Sequence, residues 1–323
     1  MRSALRPFRI DLLLLFVAAA WGSTYLTTKE LITGDSVMSL LAVRMLLAAA
    51  IMAIVVAIRR KPLARSELLT GVGLGILLTT VFTFETFGIA GTSATNAGLI
   101  ISLTMVFTPI VESALSHRRL RATFFLAAIV AVAGVALLAS NGVFKPPGQG
   151  DILVLIAAIM RAVHVTLIHK FTGGKPIDSL HLTTVQLSTC AMIFTAASVF
   201  HGESIQHYVS QLTLTSGLAF FYLVVICTVF AFFIQIWAVR RTSPSRVSLL
   251  LGAEPLWASV IGVTIAHDTF APVGYIGICL VLAGTAWGRS VEQGHRIQLP
   301  NSSPPASTSP DDPQLEPDGQ SPI

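Results

Sequence analysis

Charge is scarce in this chain: Asp, Glu, Lys and Arg make up 11% of its 323 residues, where soluble domains carry about 25%. Cysteine is scarcer still. Cys190, Cys227 and Cys279 lie inside apolar stretches at unrelated spacings. That pattern excludes a disulfide framework and a metal motif, and leaves three small hydrophobes. The sequence also lacks a P-loop, a His-Glu-x-x-His metal motif and any nucleophile-and-base signature. Direct use of ATP and intramembrane catalysis therefore have no basis in it. The expectation is a protein that is not an enzyme, with no cofactor and no metal. Short segments of alternating polarity are absent too, which argues against a β-barrel.

What remains is apolar. Hydrophobic residues are 53% of the chain and the mean hydropathy is +0.75. A helix needs about 20 apolar residues to cross a bilayer. Ten such runs are present, at roughly 11–31, 36–58, 68–89, 94–116, 121–140, 150–171, 179–200, 215–239, 245–266 and 271–289. The first could pass for a signal peptide at Ala18-Ala19-Ala20, but it continues through Trp21-Gly22-Ser23-Thr24 and is read as a helix. The connections are short, which leaves no room for a soluble domain.

Lys and Arg collect in alternate connections. One set holds Arg2, Arg6, Arg9, Arg59, Arg60, Lys61, Arg65, Arg118, Arg119, Arg121, Lys170, Lys175, Arg240, Arg241, Arg246, Arg289 and Arg296. The other holds only Lys29 and Lys145, and Arg44 and Arg161 fall within runs. Ten spans with both termini cytoplasmic, in a bacterial inner membrane, account for this split. The net charge of +5 is then topological, and nucleic acid is not an expected partner. The expected partners are the lipid bilayer and a small-molecule substrate. From about Ser290 the composition changes, and Asn301–Ile323, rich in Pro, Ser and Asp, reads as a disordered cytoplasmic tail.

The runs repeat. Thr92-Ser93 and Ala133-Gly134 recur as Thr242-Ser243 and Ala283-Gly284, about 150 residues on, and Pro109 and Pro255 sit about one helical turn off that register. Asp11 and Asp151 each open an apolar run. Five runs make each half, and five is odd, so the second half enters from the opposite side. The fold class expected is an all-α membrane protein with ten transmembrane helices as two inverted five-helix repeats. The divisions are 1–10 as a cytoplasmic N-terminus, 11–140 and 150–289 as the repeats, and 290–323 as the tail.

Taken in order, Trp21-Gly22-Ser23, Arg44, Thr92-Ser93-Ala94-Thr95-Asn96-Ala97, Pro109, Glu254-Pro255 and Gly274…Ala283-Gly284 resemble the drug/metabolite transporter superfamily, specifically its EamA-type members. The resemblance covers about residues 8–290 and implies two five-helix repeats around a central cavity. It also implies a carrier of amino acids, nucleotide sugars, drugs or other metabolites, commonly outward in bacteria. The chain departs from the pattern in three places. Ser116-His117-Arg118-Arg119-Leu120 lacks the usual acid, Asp268 shortens its counterpart, and Arg161 replaces a tryptophan often seen in the sixth span.

Charges within spans cost about 2.5–3.5 kcal/mol on insertion scales and mark candidate sites. They are Arg44, Glu85, Glu112, Arg161 and Glu254, with His164 one turn from Arg161. Arg161 and Glu254 fall at similar depth, roughly 14–16 Å in. They read as a substrate site or as a structural pair. Arg44 and Glu85 have the same two readings, with Glu85 as a proton-binding carboxylate or as the fixed partner of Arg44. Glu112 is expected to snorkel towards Arg118 or Arg119. Trp21, Thr24, Asn96 and Gln235 are candidates for the cavity wall, or for interhelical hydrogen bonds. Pro109 and Pro255 are hinge candidates. The function expected is a secondary transporter that exports a small amino acid-like or drug-like metabolite by alternating access, with proton coupling as an option. The alternatives are an uncoupled facilitator or channel, or a scaffold.

Overall fold

A computed structural model describes residues 5–33, 36–116, 122–140, 148–265 and 271–297. Arg118, Arg119, Lys145, Asp268 and the tail beyond Ile297 lie outside the described residues. Among the described residues every regular element is helical. In order these are α1 (Leu5–Leu31), α2 (Val37–Arg59), α3 (Arg65–Gly91), α4 (Ala94–Ile101), α5 (Thr104–Ser116), α6 (Ala122–Ser140) and α7 (Gln149–Thr172). There follow α8 (Ser179–Phe200), α9 (Ile205–Ser210) and α10 (Leu214–Val224), then a π-helical turn (Val225–Phe230) leading into α11 (Ala231–Arg241). The chain closes with α12 (Pro244–Leu251), α13 (Glu254–Thr264) and α14 (Pro272–Ile297).

Among the described residues, seven helical stretches are long and apolar enough to cross a bilayer. They match the first four, sixth, seventh and eighth runs of the sequence. The other three runs are met only in part among the described residues. Ala122–Leu137 and Pro272–Gly288 are shorter apolar helices, and the ninth run is split into α12 and α13 by the turn at Gly252-Ala253. The last helix continues to Ile297, past the end of its apolar run at 289. Large apolar side chains stay on the outside, among them Ile54, Ile58, Phe200 and Leu214, as suits helices solvated by lipid.

The fourth run is also split. It breaks at Ser102-Leu103, and the ninth breaks at Gly252-Ala253, the same offset that separates the sequence repeats. Both begin with a serine cap: Ser93 Oγ accepts the Asn96 N–H at 3.1 Å, and Ser243 Oγ accepts the Arg246 N–H at 3.3 Å. Phe82 and Phe232, again at that offset, meet each other with ring centroids 5.3 Å apart. Helix α6 packs on α14, α2 on α8, and α3 on α7 and α8.

The α6–α14 contact depends on the two repeated glycines. A Cβ on Gly134 would sit 2.6 Å from the Val281 nitrogen, and one on Gly284 would sit 2.6 Å from the Ala131 nitrogen. Each glycine therefore lets the partner backbone approach, which is how helices gain van der Waals contact where no hydrophobic force acts between them. Gly134→Val and Gly284→Val should each cost about 1–3 kcal/mol by overpacking. Thermal unfolding in detergent checks this, and an unchanged midpoint in both variants would contradict the close packing.

Candidate functional site

The two helix breaks face a common centre. A cavity of about 10 Å³ lies between them, lined by Ser102, Thr104, Arg161, Gln235, Ser248 and Glu254 among others. That is room for about one water molecule.

Arg161 on α7 and Glu254 at the start of α13 meet here. Arg161 Nη1 lies 3.6 Å from Glu254 Oε1, and both residues are buried. The Tyr25 hydroxyl on α1 donates to the same carboxylate oxygen. The Arg161 guanidinium lies over the Trp21 ring, 4.1 Å from its centroid. Trp21 is fixed in turn. Its indole N–H donates to the Cys227 carbonyl at 2.9 Å, inside the π-helical turn, and its ring tilts against Phe232 at 5.3 Å. Trp21 lies ten residues beyond Asp11, and Arg161 ten beyond Asp151, so the stacked pair occupies matching places in the first helix of each half. Gln235 is 1% exposed and its Oε1 has no hydrogen-bond partner.

The remaining sequence candidates lie outside the lining of this cavity. His164 Nε2 pairs with Gln186 Oε1 at 2.8 Å, on the face of α7 towards α8. Thr24 donates to the Ala20 carbonyl of its own helix at 3.2 Å. Asn96 sits in the first turn of α4, well removed from the break at Ser102. Arg44 is buried. Its Nε donates to Thr228 Oγ1 at 2.8 Å and its guanidinium lies 5.0 Å from the Phe82 centroid. Among the described residues no ion pair joins Arg44 to Glu85; Thr228, in the π-helical turn, takes that place. Glu85 is half-buried. Glu112 turns to the other half, where its carboxylate accepts the Ser245 N–H at 3.0 Å and the Ser245 hydroxyl. Pro109 lies inside α5 and Pro255 at the first turn of α13, so the breaks fall at Ser102-Leu103 and Gly252-Ala253 rather than at the prolines.

Sequence reasoning passed over Tyr25, although its spacing of four from Trp21 puts both on one helix face. It also passed over a polar cluster where α3 meets α8. Glu67 is buried and accepts the Asp178 N–H at 2.6 Å, the Ala64 N–H at 3.0 Å and His181 Nδ1 at 2.7 Å. Lys61 Nζ pairs with Asp178 at 3.0 Å. Partial burial alone would raise the Asp178 carboxyl. The Leu180 N–H and the Lys61 ammonium outweigh burial and hold it below the usual carboxylate range. The stabilisation is thus present at neutral pH and is lost as pH falls through that lowered value.

Residues 8–140 and 148–287 each match the EamA-like transporter family. A protein described as an uncharacterized transporter of Archaeoglobus fulgidus is 24% identical over 273 residues, covering 84% of this chain and 83% of that protein. The uncharacterized transporter YetK of Bacillus subtilis is 23% identical over 208 residues, covering 61% of this chain and 60% of YetK. A solved crystal structure at 17% identity superposes with a TM-score of 0.66, over 90% of this chain and 99% of that one, and shows the shared fold.

Proposed function

Because this chain belongs to the EamA-like transporter family, a family of membrane transporters, we propose that it is a secondary carrier of the bacterial inner membrane that exports a small organic metabolite by alternating access. In this reading, ten membrane helices form two inverted five-helix repeats, 11–140 and 150–289, with both termini cytoplasmic. The matched helix breaks, the reciprocal Gly134 and Gly284 contacts and the facing Phe82 and Phe232 support the inverted pairing. One observation carries the functional reading: a buried ion pair, Arg161 with Glu254, sits where both discontinuous helices turn and where the halves meet. Structural ion pairs have no need of broken helices around them. Broken helices at mid-depth supply the polar backbone that a carrier needs for a ligand. Gln235 lines this centre, Arg44, Glu85 and His164 are secondary candidates, and the Ser102-Leu103 and Gly252-Ala253 turns serve as hinges.

Flux in proteoliposomes tests the reading. Saturable movement with counterflow is expected of a carrier, and linear flux would favour the channel reading. For topology, a cysteine introduced as Ser307→Cys should resist impermeant labelling from outside intact cells, and ready labelling there would reverse the proposed orientation. For coupling, Glu85 lies half-buried in the apolar stretch Val81–Phe87, so opening and closing alter its surroundings. Glu85→Gln should keep exchange but lose uphill movement driven by a pH gradient. Unchanged accumulation would remove Glu85 as the coupling group.

A further inference from the structure

Arg161, a buried cation, has surroundings that suit a receptor for cations. Arg161 contributes a flat, delocalised charge. It lies over an indole face at 4.1 Å and beside a carboxylate at 3.6 Å, with the Tyr25 phenol holding that carboxylate in place. Gln235 adds a buried acceptor with no donor, on the wall of the same cavity. An aromatic face, a carboxylate and an unmet acceptor together select a planar cation that bears N–H groups. Arg161 is tethered to α7, and α3, which carries Glu85, packs directly on α7. Glu85 is half-buried and makes no ion pair among the described residues.

We propose that Trp21, Tyr25, Gln235 and Glu254 form a site for planar organic cations of the aryl-guanidinium or amidinium type, and that Arg161 is its tethered occupant, displaced when such a ligand enters. The proposal rests on the carrier reading and names the substrate class of that site. Since the closed cavity holds about one water, entry requires that Arg161 leave. A neutral or anionic ligand cannot take its place, because the buried Glu254 carboxylate would lose its cation. A zwitterion would need Arg161 to stay close and bind the ligand's own carboxylate, and the test separates that case.

Phenylguanidine, benzoate and phenylalanine present a cation, an anion and a zwitterion on the same ring. Added to the purified full chain in detergent, phenylguanidine should raise the thermal midpoint by mass action, and the other two should not. Arg161→Gln vacates the site and should tighten phenylguanidine binding roughly tenfold, the scale of a desolvated cation–aromatic contact. Glu254→Gln should abolish it. No stabilisation by phenylguanidine, stabilisation by benzoate or phenylalanine instead, or weaker phenylguanidine binding in Arg161→Gln would each overturn the proposal. Should Arg161→Gln fail to fold, the three-ligand comparison on the unaltered chain decides alone. Phenylguanidine that binds without showing counterflow would refute the carrier reading and leave the site. Counterflow of another ligand, with no phenylguanidine binding, would refute the site and leave the carrier.

Discussion

Glu254→Gln should destabilise the folded protein by roughly 3–5 kcal/mol, because it leaves Arg161 as a buried charge without its anion. The magnitude follows from what stays behind. Arg161 keeps its place over Trp21, worth about 0.5–2 kcal/mol, and a glutamine oxygen can still accept from Tyr25. Neither replaces a counter-ion in a closed cavity bordered by lipid-solvated helices. Arg161→Gln should cost a similar amount by orphaning the carboxylate. The pair is 3.6 Å apart, longer than the roughly 2.7–2.9 Å of a strong charge-assisted bond, so the wild-type gain is modest and the loss is mainly desolvation. The double variant should therefore recover much of what each single one loses. Thermal unfolding of the four proteins measures the coupling. Small, additive effects would mean that the two charges do not depend on each other.

Glu67→Ala should be the second large loss. It removes one acceptor and strands three donors: the Asp178 N–H, the Ala64 N–H and His181 Nδ1. Each stranded buried group costs about 1–3 kcal/mol, and water entering at the helix ends offsets part of the sum. The damage should be local to the junction of α3 and α8. Hydrogen exchange in the first turn of α8 should accelerate, and the thermal midpoint should fall by more than in either glycine variant. Glu67→Gln keeps an acceptor and should lose less. Equal exchange rates in Glu67→Ala and the parent would show that Lys61 and Asp178 hold the junction without it.

The sequence made the charged part of the centre legible because a charge within an apolar run is expensive, and Arg161 and Glu254 stand out for that reason. Counting residues also gave their common depth. It gave no azimuth, and azimuth decides partners: Arg44 and Glu85 share a half and similar depth, yet Arg44 turns to Thr228. The π-helical turn that presents Thr228 and the Cys227 carbonyl has no compositional signal in Val225–Phe230. Tyr25 stayed hidden because a tyrosine is polar only at its tip and sits comfortably in an apolar run. Glu67 and His181 were passed over because charges near helix ends are cheap and common. The helix breaks themselves carried no sequence signal, and Pro255, a hinge candidate, opens α13 at a position where its missing N–H costs nothing. The membrane class and the repeat were legible because they are properties of long stretches.

Counterflow in proteoliposomes tests the central claim most directly. Vesicles holding the full chain are preloaded with a ligand that stabilises the purified protein, then given a trace of the labelled form outside. A carrier whose halves alternate around Arg161 and Glu254 should accumulate label transiently and saturably, and Glu254→Gln should abolish that overshoot while remaining in the bilayer. Linear uptake without overshoot, or an overshoot that Glu254→Gln leaves intact, would contradict it.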